Sequence, residues 1–150
     1  IWAFAKAGES NPKLFKKMAR HIVALDNLGD FKPRNLSDIL LAFAKAEESN
    51  PQLFKVVSDH IVTLDNLGGF DEQALANLVW AYAYSKESNA MLFEKVADHI
   101  AALDNREGFK PQAVSDILWA FEKAEVSHPR LFKVVADHIV TLDRGAGSPI

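Results

Sequence analysis

The chain has 150 residues, about the length of one domain, and 49% of them are hydrophobic, which is enough for a packed core and excludes a disordered tail. Seventeen basic against 20 acidic residues leave a net charge of -3, so the bulk balance does not announce a polyanion binder. The absence of cysteine rules out disulfides and thiol chemistry, and no apolar run is long enough for membrane insertion.

The opening "IWAFAKA" matches the middle of "LLAFAKA" and "LWAFEKA" further on, so the chain reads as a piece of a longer protein. Ala3, Ala42, Ala81 and Ala120 stand 39 residues apart, as do His21, His60, His99 and His138, and Asp26, Asp65, Asp104 and Asp143. One array thus fills residues 1–150, in units 1–31 (lacking its first eight positions), 32–70, 71–109 and 110–148. Residues 32–66 and 110–144 agree at 25 of 35 positions, which means recent duplication or a strong demand for one shape.

Each unit reads as two helices. Pro33 and Pro111 suit the first helical position, where a missing N–H costs nothing, and Asp71 is a good N-cap. Leu36, Ile39, Leu40 and Phe43 form the apolar stripe of the first helix. The second helix starts with Asn50 as cap and Pro51 behind it; Leu53, Phe54, Val57, His60, Ile61 and Leu64 make its stripe. Gly68 suits a left-handed helix C-terminus, and Phe70 anchors the entry to the next helix. Helices of roughly 14 residues, ~21 Å long, cannot bury both stripes alone. Stacking of neighbours supplies the cover, so the expected fold is all-α, an α-solenoid of about four 39-residue helix-turn-helix repeats.

The first-helix face opposite the stripe carries Arg34, Asp38, Ala42 and Lys45, then Asn77, Ala81 and Tyr84, then Asp116, Ala120 and Lys123; the first unit keeps Ala3 and Lys6. A polar group, a small Ala and a cation or aromatic leave room for a flat ligand, or simply form a solvated face. Trp2, Trp80 and Trp119 flank this face; packing of Trp over the neighbour's Ala is favoured there over base stacking. The repeat histidines lie in apolar stripes of helices ~8–10 Å apart, too far to share a zinc ion, and read as structural groups inside the stack. The Asp of "LDN" suggests a specific linker hydrogen bond. No phosphate loop, nucleophile elbow or metal motif is present, so neither an enzyme nor a cofactor is expected. The tail "RGAGSPI" departs from the repeat and is expected to fray or end the stack.

The segments "NLSDILLAFAKA", "ALANLVWAYAYS" and "AVSDILWAFEKA" resemble the octotricopeptide-type repeats of RAP-domain proteins, over nearly the whole chain. The resemblance implies an α-solenoid that binds single-stranded RNA in a chloroplast or mitochondrion and supports RNA stability, processing or translation, with first helices against the bases. By that resemblance Asp38, Asn77 and Asp116 occupy the polar motif position, with Lys6, Arg34, Asn35, Lys45, Tyr84 and Lys123 around them as RNA-binding residues. The alternative partner is protein: a scaffold or structural subunit of a large organellar complex, a ribosome or photosynthetic assembly, favoured by the acidic balance.

Overall fold

The computed structural model describes residues 12–25, 28–87, 89–103, 106 and 108–145, with side chains up to 141. Seven α-helices and no strand occur among them: α1 (Pro12–Val23), α2 (Pro33–Lys45), α3 (Pro51–Thr63), α4 (Glu72–Tyr84), α5 (Ala90–Ala102), α6 (Pro111–Lys123) and α7 (Pro129–Gly145). A short 3-10 turn, Leu28–Asp30, joins α1 to α2. The start signals act as the sequence implies. Asn50 Oδ1 accepts the Leu53 N–H at 3.0 Å and Asp71 Oδ1 the Ala74 N–H at 2.7 Å. Asn89 caps α5 in the same way, through Met91 and Leu92. α7 is capped by a ring: His128 Nδ1 accepts the Leu131 N–H at 3.0 Å, so Nε2 carries the proton directed at Asp98, 2.8 Å away.

Each helix packs on its counterpart one repeat along. The first helices α2, α4 and α6 form one layer and the second helices α1, α3, α5 and α7 the other, the α-solenoid arrangement. The first helices approach one another more closely, which curves the stack toward their side. Small side chains permit that approach: Ser37, Ala42, Ala44, Ala76, Ala81 and Ala83 are all buried. The constant Ala42, Ala81 and Ala120 therefore lie in helix–helix contacts, and the expectation that they open a slot for a flat ligand is corrected. Between the layers an aromatic pair crosses every repeat junction. Phe15 meets Phe43, Phe54 meets Tyr82 and Phe93 meets Phe121, with ring centroids 4.8 to 5.0 Å apart and edges on faces. Tyr82 also donates its hydroxyl to the Phe54 carbonyl at 2.6 Å, and burial pushes its phenol pKa up.

Helix ends depart from expectation. α3 stops at an extended Leu64, and Gly68 is not left-handed; its N–H bonds Asn66 Oδ1 at 2.9 Å in an Asx turn. The left-handed residues are Glu47 (φ 56°), Lys86 (φ 60°) and Glu125 (φ 58°), which close the first helices. There Glu48, Glu87 and Val126 donate to Phe43, Tyr82 and Phe121, and the residue before each donates to Ala44, Ala83 and Glu122, the double bond of a Schellman turn. The carbonyls ending α3 are met by Lys95 Nζ, which bonds Val62 and Leu64; Arg106 does the same for α5 at Leu103, 2.7 Å away. Phe70 is buried as an anchor.

The histidines are less uniform than expected. His138 is buried, its Nε2 2.8 Å from the Phe109 carbonyl. His60 and His99 are half-exposed and His21 is exposed. Asp65 is exposed, and Asn66 makes the linker bond instead; Asp26, Asp104 and the tail beyond 145 lie outside the described residues, as does the side chain of Asp143.

Candidate functional site

The inner layer shows one strip per first helix at spacings of four, three and four residues: Arg34, Asp38, Leu41, Lys45 on α2; Gln73, Asn77, Trp80, Tyr84 on α4; Gln112, Asp116, Trp119, Lys123 on α6. This spacing keeps side chains on one helix face. The strip runs through positions 41, 80 and 119, one residue away from the constant Ala. Lys6 lies outside the described residues.

The three motif polar groups are held by partners one turn earlier. Asn77 Oδ1 accepts from Gln73 at 2.8 Å and Asp116 Oδ1 from Gln112 at 2.9 Å, while Asp38 lies 3.9 Å from Arg34. Arg34 reaches across the repeat junction to Asp71 at 2.7 Å, so this cation, assigned to RNA by resemblance, also forms an exposed inter-repeat ion pair. Asn35 is exposed but off the strip: its counterparts Ala74 and Ala113 are buried in helix packing, and the structure does not bring it to the others. Lys45 and Lys123 are exposed in the last turns of their helices.

The aromatic residues form the largest feature. Trp80 stacks on Tyr84 at 4.7 Å and 9°, and on Trp119 of the following repeat at 5.7 Å and 29°. Tyr84 and Trp119 each remain 39% exposed. Trp80 thus packs on a neighbouring Trp and Tyr as well as against the buried core. Beside the stack is an open cavity of about 420 Å³, walled by Phe43, Tyr84 and Trp119 with Glu47, Lys86 and Lys123 at its mouth. Glu47 and Lys86 reach the mouth because both occupy the left-handed turns. Tyr84 donates to Glu47 Oε1 at 3.2 Å; that bond, and the repulsion between carboxylate and phenolate, raise the Tyr84 pKa. Sequence reasoning named Tyr84 and read Trp80 and Trp119 as packing groups rather than as a stack, and it passed over Glu47 and Lys86. The Trp80–Tyr84 spacing of four was the available signal.

Among the described residues no cluster of His, Asp or Glu is placed to hold a metal ion, and no helix is long and apolar enough to cross a membrane. The strip presents stacking surface, amide and carboxylate hydrogen-bonding groups, and two flanking ammonium groups. These features define an all-α helical-repeat protein with an aromatic inner face. Residues 33–145, most of the chain, match the family described as RNA-editing substrate-binding complex 6 protein, and the chain belongs to that family. No curated protein matches it.

Proposed function

We propose that this chain is a non-enzymatic helical-repeat module that contacts single-stranded RNA through its inner first-helix face, within an RNA-editing substrate-binding assembly. The observation that carries the reading is the partly exposed Tyr84–Trp80–Trp119 stack between Lys45 and Lys123. Aromatic rings accept bases whatever their identity, and the flanking cations meet phosphates. The polar column Asp38, Asn77 and Asp116 varies inside copied units, as a base-reading position would. The finer form of the proposal is an octotricopeptide-like mode in which first helices face the bases, in an organelle, with the mitochondrion favoured by the editing family.

A protein-scaffold reading has its own support: Glu47, Asp38 and Asp116 place carboxylates on the same face, and the net charge is -3. The two readings separate in one titration of fluorescently labelled single-stranded RNA at several salt concentrations. Replacing Lys45 and Lys123 by Ala should weaken binding to every sequence and lower the salt slope by roughly 0.7 per lost phosphate contact. Trp119→Ala should cost about 1–3 kcal/mol at an unchanged slope. Equal affinity of the parent chain and the double Lys variant at low and moderate salt removes the RNA reading and leaves the scaffold.

A further inference from the structure

The aromatic cavity carries more than stacking surface. Glu47 and Glu48 line it against Lys86 and Lys123, so two carboxylates face two ammonium groups. A carboxylate repels a phosphate backbone, so its place on a face that meets RNA calls for a partner of another kind. Tyr84 singles out Glu47. Its hydroxyl crosses the junction of the second and third repeats and donates to Glu47 Oε1 at 3.2 Å. That bond orients the carboxylate, and it takes one of about four accepting positions. The rest can serve a ligand in the cavity. Its volume of about 420 Å³ falls in the range of small-molecule pockets, roughly 300–1,000 Å³. Tyr84 and Trp119, each 39% exposed, offer it flat walls.

A flat ring with hydrogen-bonding edges fits these walls, and the carboxylate chooses among bases. An ionised carboxylate only accepts. Guanine carries two adjacent donors on its Watson–Crick edge, N1–H and an N2 amino hydrogen, and meets both oxygens at once. Adenine and cytosine set one amino group beside a ring nitrogen whose lone pair faces the carboxylate. Uracil holds its single N–H between two carbonyls. Charge-assisted bonds are roughly twice as strong as neutral ones, so the difference between two such bonds and one is large. Guanine O6, beside N1, is an acceptor that suits an ammonium group.

We propose that this cavity is a guanine pocket, filled by one base of the bound single strand. The ring lies against Trp119 and Tyr84, N1–H and N2–H donate to the Glu47 carboxylate, and O6 accepts from Lys86 or Lys123. The inference rests on the RNA reading above and adds the identity of a base to it. Tyr84 has a second task as a positioning residue, since it fixes the carboxylate. The pocket is local to one junction. At the next, the counterparts of Glu47 and Tyr84 are Lys86 and Lys123, two cations with no carboxylate between them. The chain therefore reads one guanine at this junction and does not repeat the reading at the next.

Short uridine-rich RNAs with a single guest base, fluorescently labelled and titrated against the full chain, test it. The guanine RNA should bind at least about fivefold tighter than the adenine RNA. The inosine RNA, which lacks the N2 amino group, should fall between them. Glu47→Gln keeps an acceptor for Tyr84 but replaces one carboxylate oxygen by a donor, so its guanine-to-adenine ratio should fall to near one. The inosine arm alters only the RNA, so no folding defect can mimic it. Equal affinity of the parent chain for all guests overturns the pocket and leaves the RNA reading standing. A guanine preference that persists in Glu47→Gln also overturns it. Guanosine and adenosine monophosphates, followed by tryptophan quenching, form the second arm. If no RNA binds but the guanine nucleotide does, and Glu47→Gln abolishes its advantage over the adenine nucleotide, the guanine pocket stands for a free nucleotide and the RNA reading falls. If neither RNA nor nucleotide binds, both fall.

Discussion

Ser37 is fully buried and its hydroxyl has no hydrogen-bond partner among the described residues. The third repeat carries Ala76 at the same place, equally buried. An unsatisfied buried hydroxyl costs ~1–3 kcal/mol, and the site already accepts a methyl group one repeat on. Ser37→Ala should therefore raise the urea-unfolding free energy by about 1 kcal/mol; a loss would mean the hydroxyl is paired. His99 gives a pH signature. Burial lowers its pKa in the fold, so the native state binds fewer protons than the unfolded chain below the ordinary histidine value of ~6.5. Its contribution is complete above that pH and fades as pH falls through the folded value. Urea midpoints measured between pH 7.5 and 5.5 should drop less in His99→Gln than in the parent chain. At this scale the caps were legible, because Asn50 and Asp71 precede apolar stripes in a fixed register. The exposure of Trp80 and Trp119 was not. Whether a large ring shields a layer or extends from it depends on helix spacing, which the small residues at repeat junctions set and no single helix wheel contains.

The turn that closes each first helix shows why a glycine cue can mislead. Gly68 drew attention because glycine favours left-handed backbone, yet the left-handed sites are filled by Glu47, Lys86 and Glu125. The two Schellman bonds hold that geometry despite the side chain. Two of the three residues serve the cavity mouth, which gives a reason to keep charged groups at a strained position. Glu125 lies in the fourth repeat, outside that cavity. Glu125→Gly removes left-handed strain but adds freedom to the unfolded chain, so a net gain of about 1 kcal/mol is expected. For 150 residues this amounts to roughly 3 °C in Tm. Calorimetry or thermal circular dichroism would read it, and a lower Tm would show that the side chain holds the turn through contacts. The helix starts were legible almost to the residue, since proline starts, caps and apolar spacing agreed. Their terminal turns were not, since the same tertiary packing that buries Phe43 and Tyr82 also forces the non-glycine residue to turn.

Across the whole molecule, stability is shared between neighbours, and the value of a residue depends on where its repeat stands. The period of 39 made the stack legible, but not how deeply each copy of a position is buried. Copies with the same sequence differ: Phe93 is fully buried whereas Phe132 is half-exposed. The same substitution at equivalent positions should then have unequal effects. Phe54→Ala and Phe93→Ala each empty an aromatic pair inside a junction and should cost about 3–5 kcal/mol. Phe132→Ala loses half a contact shell and leaves no enclosed void, so its cost should stay near 1 kcal/mol. Chemical denaturation of the three single variants, with unfolding followed by far-UV circular dichroism, supplies the comparison. Three equal losses would mean that Phe132 is covered in solution; three small losses would show that the aromatic pairs do not hold the repeats together.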